Sequence, residues 1–471
     1  MSGCLLAVVL VTAGANAQQN LPDMGEPADN ALSPIEERQL GAAFMRQIRA
    51  SLPLIRDVQL EEYMQSLGMR LALASGKTGG RDFNFFIIDD AQINAFAIPG
   101  GYVGVNVGLI HVMDEEEQLA GVIAHEVAHV TQRHHARAFA TGNRASLTAA
   151  AAVLAAIVIG QASPQAGQAA LAAGLAATQQ SAINFTRSNE IEADRIGIEI
   201  LASADYDASA MAESFSILRR KNSLNTSAGA LEYLRTHPLD NNRIAEAADR
   251  ASIQPQRQRV EQTDFQLFKA RLSVLSSNDA GQLERTTRSG FTKQPNAGNA
   301  YALALLHLRA NRLDSAKNAL DALDKLAPAH PMVELLHTEL LEATGKAHNS
   351  RSRLAALSEL YPDRYSIVEK RSDQLIRVRR LSEAMKVTNH YIRTSDSPNP
   401  LAWRQLASIQ QRLGDQAGSH ESLARYFEGF NELQRAQSQL ELALRQVPNA
   451  SQDQLRLEAS LNALRERANR Q

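Results

Sequence analysis

The sequence predicts a mostly α-helical protein with two domains, a mixed α+β domain that contains a small sheet and an all-α domain of helical repeats after it. Two patterns support this fold class. Apolar residues recur at helical spacing along most of the 471 residues, except near residues 82–107, where they alternate as in strands. From about residue 265 onward, similar residues recur 34 positions apart. The length also exceeds that of one typical domain.

The composition is typical of a globular protein that does not bind nucleic acid. Hydrophobic residues make up 44% of the chain, aromatic residues 5%, and the formal net charge is -2. Such a chain lacks the basic surface and the stacking platforms that nucleic acids require. Cys4 is the sole cysteine. If it is removed with an N-terminal segment, the mature chain has neither a disulfide nor a thiolate metal ligand.

The first residues predict an exported protein. An apolar run over residues 5–11 leads to Ala15-Asn16-Ala17, which has the small-x-small pattern of a signal-peptide cleavage site, although no basic residue precedes the run. We therefore expect a signal peptide over residues 1–17, cleaved near Ala17, and a polar leader over residues 18–34. A cleaved signal indicates the periplasm of a Gram-negative bacterium.

The mixed domain is expected over residues 35–253. The pattern predicts helices over 35–51 and 58–74, a strand over 82–89, and a hairpin of residues 94–98 and 102–107 around Pro99-Gly100-Gly101. A further helix is predicted over residues 115–139. Asp114 can cap its first turn, with Glu117 three residues further on.

This last helix carries the most informative motif of the chain. His125 and His129 lie one turn apart and share a face, so both imidazoles can reach one metal ion. Glu126 lies beside them as a candidate general base. The plainer interpretation of the same five residues is an amphipathic helix with two surface histidines.

Two apolar segments follow the motif. Residues 147–160 contain no charge, and residues 165–177 are rich in alanine. The first segment is too short to cross a bilayer, which requires about 20 apolar residues. A buried or interfacial helical hairpin is therefore predicted, with shallow membrane contact through residues 147–160 as the alternative.

Residues 254–471 are predicted to form a tetratricopeptide-like repeat domain. The residues that match at a spacing of 34 include Pro328 and Pro362, Leu320 and Leu354, Asn311 and Gly345, and the series Ala316, Ser350 and Ala384. Small, large apolar and proline residues at fixed offsets in this period are typical of helix-turn-helix repeats, which form concave surfaces that bind proteins. The segment from Ser395 to Pro400 interrupts the register.

A hydrolytic zinc site requires a third protein ligand, and two residues compete for that role. His135 lies ten residues after the first histidine of the motif, but the usual turn back to the metal needs a glycine where Gln132 stands, so His135 is expected to point away. Glu190, on a later amphipathic helix, can supply a carboxylate oxygen. Asp194, one turn along, can accept a hydrogen bond from a ligand histidine and fix its tautomer, whereas Glu192 is expected to point elsewhere. The plainer interpretation is an acidic, solvated helix face.

Four motifs of the mixed domain are similar to those of a known family. In chain order they are Asn94-Ala95-Phe96-Ala97 with Pro99-Gly100-Gly101, His125-Glu126-Val127-Ala128-His129 with Arg133, Glu190-x-Glu192-Ala193-Asp194, and Thr236-His237-Pro238 with Arg243. With these motifs, residues 35–252 resemble the zinc peptidase family of HtpX and the CAAX prenyl proteases. Together with the export signal and the repeats, the chain resembles periplasmic members of this family that act on outer-membrane β-barrel proteins.

The resemblance implies a zincin-like metalloprotease domain that binds one Zn²⁺ per chain. The residues it implies are the zinc ligands His125, His129 and Glu190, the base Glu126, and His237 and Arg243 near the oxyanion. The hairpin would present an edge strand to which an extended substrate adds, with Asn94, Ala95, Phe96, Gly100 and Gly101 along it. In an alternative role, His237 would act as a latch that occupies the open position of the zinc.

The predicted function is that of a periplasmic zinc endopeptidase that hydrolyses misfolded or stalled outer-membrane proteins. Its repeat domain would recruit the outer-membrane assembly machinery. The alternative is a chaperone or assembly scaffold for the same β-barrel proteins, with little proteolysis. The intact Glu126 favours the enzyme, because a scaffold has no chemical need for a general base.

Overall fold

The computed structural model describes residues 32–78, 82–140, 179–224 and 232–469. The predicted signal peptide and the two apolar segments within residues 147–177 lie outside these ranges. The elements of the mixed domain are α1 (Pro34–Ser51), α2 (Val58–Ala74), β1 (Asn84–Ile88), β2 (Ala95–Ile98), β3 (Tyr102–Asn106), α3 (Val107–Val112), α4 (Glu116–Thr131), α5 (His134–Ala140), α6 (Gln179–Ser203), α7 (Ala210–Leu224), α8 (Glu232–Thr236) and α9 (Asn241–Ile253). Among the helices in these ranges, none has both the length and the apolar character that a bilayer span requires.

A three-stranded sheet in the order β1-β3-β2 confirms the small predicted sheet. β3 pairs in parallel with β1 and antiparallel with β2, so β2 and β3 form the predicted hairpin. Its turn needs glycine, because Gly100 and Gly101 have φ values of +83° and +89°. A Cβ on Gly101 would also lie only 2.5 Å from the carbonyl oxygen of Asp82. β2 is therefore held as the outer strand on one side of the sheet.

Helix α4 lies at the centre of the domain, and every one of its residues is buried. The helix predicted over residues 115–139 is in fact two helices, because α4 ends at Thr131 and Arg133 adopts a left-handed φ of +52°. The Arg133 side chain is buried, and its guanidinium donates to the Glu37 carboxylate at 3.1 Å and to the Leu32 carbonyl at 2.6 Å. These contacts with the start of the chain stabilise a break that local propensity does not predict.

The start of α4 also differs from the prediction. The capping pair is Glu115 and Gln118, and the Gln118 side chain accepts from the backbone amides of Asp114 at 2.9 Å and Glu115 at 3.3 Å. Glu117 instead accepts hydrogen bonds from Arg259 and from the amide of Val260, both at distances near 3 Å (3.0 and 3.1 Å). Glu117 therefore makes a tertiary contact with Arg259 and Val260 and does not cap the helix as predicted.

The second domain is all helical, which confirms the predicted fold class. Its elements are α10 (Thr263–Ser276), α11 (Ala280–Lys293), α12 (Ala297–Arg309), α13 (Leu313–Leu326), α14 (Pro331–Ala343), α15 (Ala347–Leu360), α16 (Tyr365–Arg377), α17 (Leu381–Thr394), α18 (Pro400–Leu413), α19 (Gln416–Gly429), α20 (Leu433–Leu444) and α21 (Gln452–Asn469). Helices α12, α14 and α16 begin 34 residues apart, and α18 begins one residue later than this period, where the register was predicted to break. Ala316, Ser350 and Ala384 are fully buried at equivalent positions.

Helix α10 belongs to both domains. Phe265, Phe268 and Leu272 are part of the core of the mixed domain, whereas Leu267, Ala270 and Val274 are part of the core of the repeats. The Phe268 ring stacks on Tyr63 of α2 with a centroid distance of 4.1 Å. The two domains therefore join through a shared helix. Outside this shared helix, the two domains line a partly open cavity of about 2060 Å³. Its lining residues belong to α1, α2, β1 and the later repeats.

Candidate metal centre

Four buried side chains from three parts of the mixed domain bring their ligand atoms together. His125 and His129 lie on α4, Glu190 lies on α6, and His237 follows α8. The Nε2 atom of His125 is 3.0 Å from Nε2 of His129 and 3.3 Å from Nδ1 of His237. The Glu190 carboxylate oxygens lie 3.1 Å from Nδ1 of His237 and 3.4 Å from both α4 histidines. The cluster thus contains three imidazoles and one carboxylate.

This spacing fits a metal ion. An ion about 2.0–2.1 Å from each ligand in a tetrahedral arrangement requires ligand atoms about 3.3–3.4 Å apart. The shortest separations of 3.0 to 3.4 Å lie close to that value, and all four ligand atoms lie within 4.8 Å of one another. Nitrogen and carboxylate oxygen donors, without sulfur, are also a donor set that zinc accepts. Burial of so many polar atoms in one place is unfavourable unless a cation or hydrogen bonds compensate them.

The close packing of α6 on α4 brings Glu190 to the histidines. Gly197 lies on α6 where the two helices meet, and a Cβ there would lie 3.2 Å from the backbone nitrogen of His125. The lack of a side chain at this position permits the approach. The resulting histidine contacts outweigh the effect of burial and hold the pKa of Glu190 well below its usual range. Glu190 is therefore an anionic group at neutral pH.

Asp194 lies behind the first histidine, with Oδ1 3.0 Å from Nδ1 of His125. Arg243 binds Asp194 with two hydrogen bonds of 2.8 Å, lies 3.1 Å from Glu190, and donates to the carbonyl of Pro238 at 2.5 Å. The sequence prediction put Arg243 near the oxyanion. In the structure its donors engage Asp194, behind His125, and Glu190 within the cluster, because a buried guanidinium needs anionic partners.

His134 and Glu192 lie behind the second histidine, and sequence reasoning missed both. Nδ1 of His134 is 2.9 Å from Nδ1 of His129, and Nε2 of His134 is 3.3 Å from the Glu192 carboxylate. Arg137 donates to the same carboxylate at 2.8 Å. Burial, reinforced by the neighbouring cationic groups, lowers the pKa of His134 to about 2, so the ring is neutral. Glu192 lies outside the four-residue cluster. It reaches His134 because the turn at Arg133 brings His134 back over α4.

Glu126 faces the cluster with a carboxylate that is almost unpaired. It is 1% exposed, and its Oε1 atom accepts no hydrogen bond within the described residues. The nearest partner that the structure records for it is Nε2 of His237, at 3.5 Å. A buried carboxylate oxygen without a donor fits a place where a water or substrate group binds.

His135 does not join the four-residue cluster. Its Nε2 atom lies 3.1 Å from the carbonyl oxygen of Ala97, on the outward side of β2. At the start of the same strand, the Tyr233 amide donates to the carbonyl of Ile93 at 3.3 Å. The outward carbonyl groups of Ala97 and Ile93, on the side of β2 where a substrate strand is predicted to add, are therefore already paired within the protein.

The predicted edge-strand residues fall into two groups. Asn94 directly precedes β2, Ala95 and Phe96 lie within it, and all three are buried. Gly100 and Gly101 instead form the hairpin turn, where a Cβ on Gly100 would lie 3.2 Å from the Cα of Arg38 on α1. Gly100 therefore packs against α1, and Gly101 packs against the backbone of Asp82.

The chain is similar to known proteins along almost its whole length. A profile of peptidase family M48 matches residues 58–251. The beta-barrel assembly-enhancing protease of Escherichia coli strain K12 is 35% identical over 460 residues, which cover 96% of this chain and 92% of that protein. Its counterpart from Yersinia pestis is 33% identical over 483 residues, covering 99% and 98%, and a putative one from Vibrio cholerae is 34% identical over 421 residues, covering 88% and 86%. The chain therefore belongs to peptidase family M48 and is a metallopeptidase of the beta-barrel assembly-enhancing type.

Proposed function

We propose that the chain is a zinc endopeptidase and that its metal ligands are His125, His129 and Glu190. The observation that carries this proposal is the buried cluster of nitrogen and oxygen atoms, with shortest separations of 3.0 to 3.4 Å, and beside it the Glu126 carboxylate, whose Oε1 atom accepts no hydrogen bond from the described residues. The donor set contains no sulfur, which agrees with zinc in hydrolytic sites. Bound zinc would supply a Lewis acid that polarises the scissile carbonyl and acidifies water.

The protein groups around the cluster have separate tasks in this proposal. Oε1 of Glu126 accepts a proton from the attacking water and then delivers it to the leaving amine. Asp194 accepts from Nδ1 of His125 and fixes its tautomer, while Arg243 holds Asp194 and Glu190 in place. Arg243 is thus a positioning residue, and His237 remains the candidate donor to the oxyanion.

His237 also supports a latent state. A hydrolytic zinc site keeps one coordination position open. His237 Nδ1 lies 3.3 Å from Nε2 of His125 and 3.1 Å from the Glu190 carboxylate, and it belongs to the same four-residue cluster. We infer that His237 can act as a fourth ligand and must move before a substrate carbonyl enters. A latch predicts faster cleavage of a model substrate by His237→Ala. A simple loss of activity would favour the oxyanion role instead.

We propose that an extended substrate adds to the outward side of β2. Main-chain hydrogen bonds with the strand would give an endopeptidase that tolerates many sequences. The bonds that Ala97 and Ile93 already make would have to be exchanged for bonds to the substrate. Cleavage would therefore be favoured for chains that are already extended or unfolded.

We further propose that the substrates are misfolded or stalled outer-membrane proteins in the periplasm. The similarity over both domains to beta-barrel assembly-enhancing proteases supports this class of substrate. The repeat domain, with its cavity against the peptidase domain, would bind the assembly machinery or its clients. The predicted signal peptide agrees with this compartment.

Metal analysis and one substitution test the enzyme proposal. Protein purified without chelator should contain about one zinc per chain, whereas strongly substoichiometric metal would contradict the site. Glu126→Gln should retain zinc and lose about 10²- to 10⁴-fold in the cleavage rate of unfolded substrate, because it removes only the base. A variant that keeps near-normal activity would remove Glu126 from the mechanism.

A scaffold or chaperone function is the second candidate. It is favoured by His237, which fills the remaining side of the cluster, and by the size of the repeat domain. The same Glu126→Gln variant separates the two functions in a strain that lacks the wild-type protein. Restored outer-membrane protein assembly would support the scaffold, and failure of assembly with intact zinc binding would support proteolysis.

A further inference from the structure

The two ligand histidines of α4 have different partners behind them. An imidazole that binds a metal through one nitrogen usually donates its other N–H group to an acceptor, which fixes the ring and its tautomer. For His125 the group nearest to Nδ1 is the Asp194 carboxylate, with Oδ1 at 3.0 Å. Within the part of the chain that the structure describes, no carboxylate pairs with Nδ1 of His129, and its neighbour is Nδ1 of His134 at 2.9 Å. A histidine thus stands where a carboxylate is the common partner.

The hydrogen-bond arithmetic allows one arrangement of protons. Nε2 of His129 lies in the cluster, so its Nδ1 atom carries the hydrogen and donates. Nδ1 of His134 must then be an acceptor, which leaves the His134 proton on Nε2. That N–H faces the Glu192 carboxylate at 3.3 Å, and Arg137 binds the same carboxylate at 2.8 Å. In this series of contacts, the N–H groups of His129, His134 and Arg137 therefore each face an acceptor.

We propose that His134 is a positioning residue that orients His129 for the metal, and that Glu192 fixes the tautomer His134 needs for this role. The inference rests on the proposed zinc site. The chain of contacts runs from His129 through His134 and Glu192 to Arg137, whose side chain is 36% exposed. It therefore connects a buried metal ligand to the protein surface.

The backbone of Arg133 makes this arrangement available. A helix that continued past Thr131 would carry His134 away from His129, because residues five apart do not share a helical face. The left-handed φ of +52° at Arg133 turns the chain back, and the buried Arg133 side chain is anchored by Glu37 and Leu32. His134 itself is only 3% exposed, so its ring has little freedom to leave this position.

Zinc affinity of the purified full-length protein tests the proposal without reference to activity. We expect His134→Ala to weaken zinc binding about 10- to 100-fold in a competition with a chromophoric chelator, the range for loss of a partner behind a metal ligand. Glu192→Gln should weaken it by a smaller factor of about 3 to 10, because the amide oxygen can still accept but carries no charge. His135→Leu is the matched control on the same turn, and its zinc affinity should stay within about twofold of wild type.

The outcomes decide between the possibilities. If folded His134→Ala binds zinc with an affinity within twofold of wild type, the proposal is overturned. If that variant does not fold, Glu192→Gln, whose side chain is only partly buried, is used in its place, and an affinity within twofold of wild type again overturns the proposal. The double variant His134→Ala/Glu192→Gln should bind zinc no more weakly than His134→Ala alone, because both changes interrupt the same series of contacts. Additive losses of affinity would contradict a role of Glu192 that acts through His134. If wild-type protein itself fails to bind zinc, the proposed function fails first. Tight wild-type binding with unaffected variants overturns only the role of His134.

Discussion

The metal centre and the core of the repeat domain are both buried, but they are built from different interactions. Around the proposed metal ligands, buried charged and polar groups such as Asp194, Arg243 and His134 are linked by specific hydrogen bonds and ion pairs. In the repeats, small and large apolar residues recur at equivalent positions, and each helix pair packs mainly on its neighbours. A single change should therefore disable the metal centre as a unit, whereas damage in the repeats should stay local.

The largest effect is expected from removal of Arg243. Arg243→Met leaves the buried carboxylates of Asp194 and Glu190 without their cationic partner, which should lower the free energy of unfolding by about 3–5 kcal/mol. Urea denaturation measures the change. The matched control is Arg353→Met in the repeats, where a partly exposed ion pair with Glu334 should contribute no more than about 1 kcal/mol. Equal losses in the two variants would contradict the contrast between the regions.

A core substitution in the last repeat should be costly but local. Leu440 is 2% exposed and packs with Ala424, Leu457 and Leu461, so Leu440→Ala should destabilise the C-terminal repeats by about 2–5 kcal/mol. Hydrogen exchange should show faster opening of α20 and α21. Cleavage of a short unfolded peptide should remain within about twofold of wild type. Loss of peptide cleavage would show that the repeats and the metal centre are one cooperative unit.

Removal of the metal also tests the contrast between the metal centre and the repeat domain. When free zinc is about 100 times its dissociation constant, binding stabilises the folded state by about 2.7 kcal/mol, and a chelator removes that contribution. The loss of exchange protection should be concentrated in α4 and α6, which carry the three proposed ligands. Protection in α20 should not change. A uniform loss along the whole chain would contradict a locally stabilised metal centre.

The smallest effect is expected at the edge strand. His135→Leu removes the contact with the Ala97 carbonyl and leaves this acceptor free for substrate. We expect kcat/KM for an extended peptide to rise about two- to fivefold, which corresponds to less than about 1 kcal/mol. The increase should come from a lower KM, with kcat nearly constant. A decrease in kcat/KM would instead assign His135 a direct role in substrate binding.

The local features of the fold could be predicted from the sequence with good accuracy. The four-residue spacing of His125 and His129 on one helix, the Gly100-Gly101 turn and the 34-residue period each depend on neighbours along the chain. Such patterns reflect backbone geometry, which is the same in every protein. The predicted break in the repeat register before Pro400 appears as one additional residue between α16 and α18.

The contacts behind the ligands were harder to predict. The contacts of Glu192 with His134 and of Arg243 with Asp194 were not predicted. Both have the same cause. A charged residue on an amphipathic pattern can be identified from sequence, but its partner is set by how helices distant in the chain pack together.

The sequence by itself determined most of the helical and strand elements, the motif that predicts a metal site with Glu126 as its base, and the repeat architecture, because periodicity and turn chemistry are local. Only the tertiary structure decided that Arg133 breaks the motif helix, that His134 stands behind His129, that His237 lies among the ligands, and that α10 serves both domains. Each of these depends on buried contacts between residues far apart in the chain. Such contacts override local propensity when an uncompensated buried charge would otherwise cost several kcal/mol.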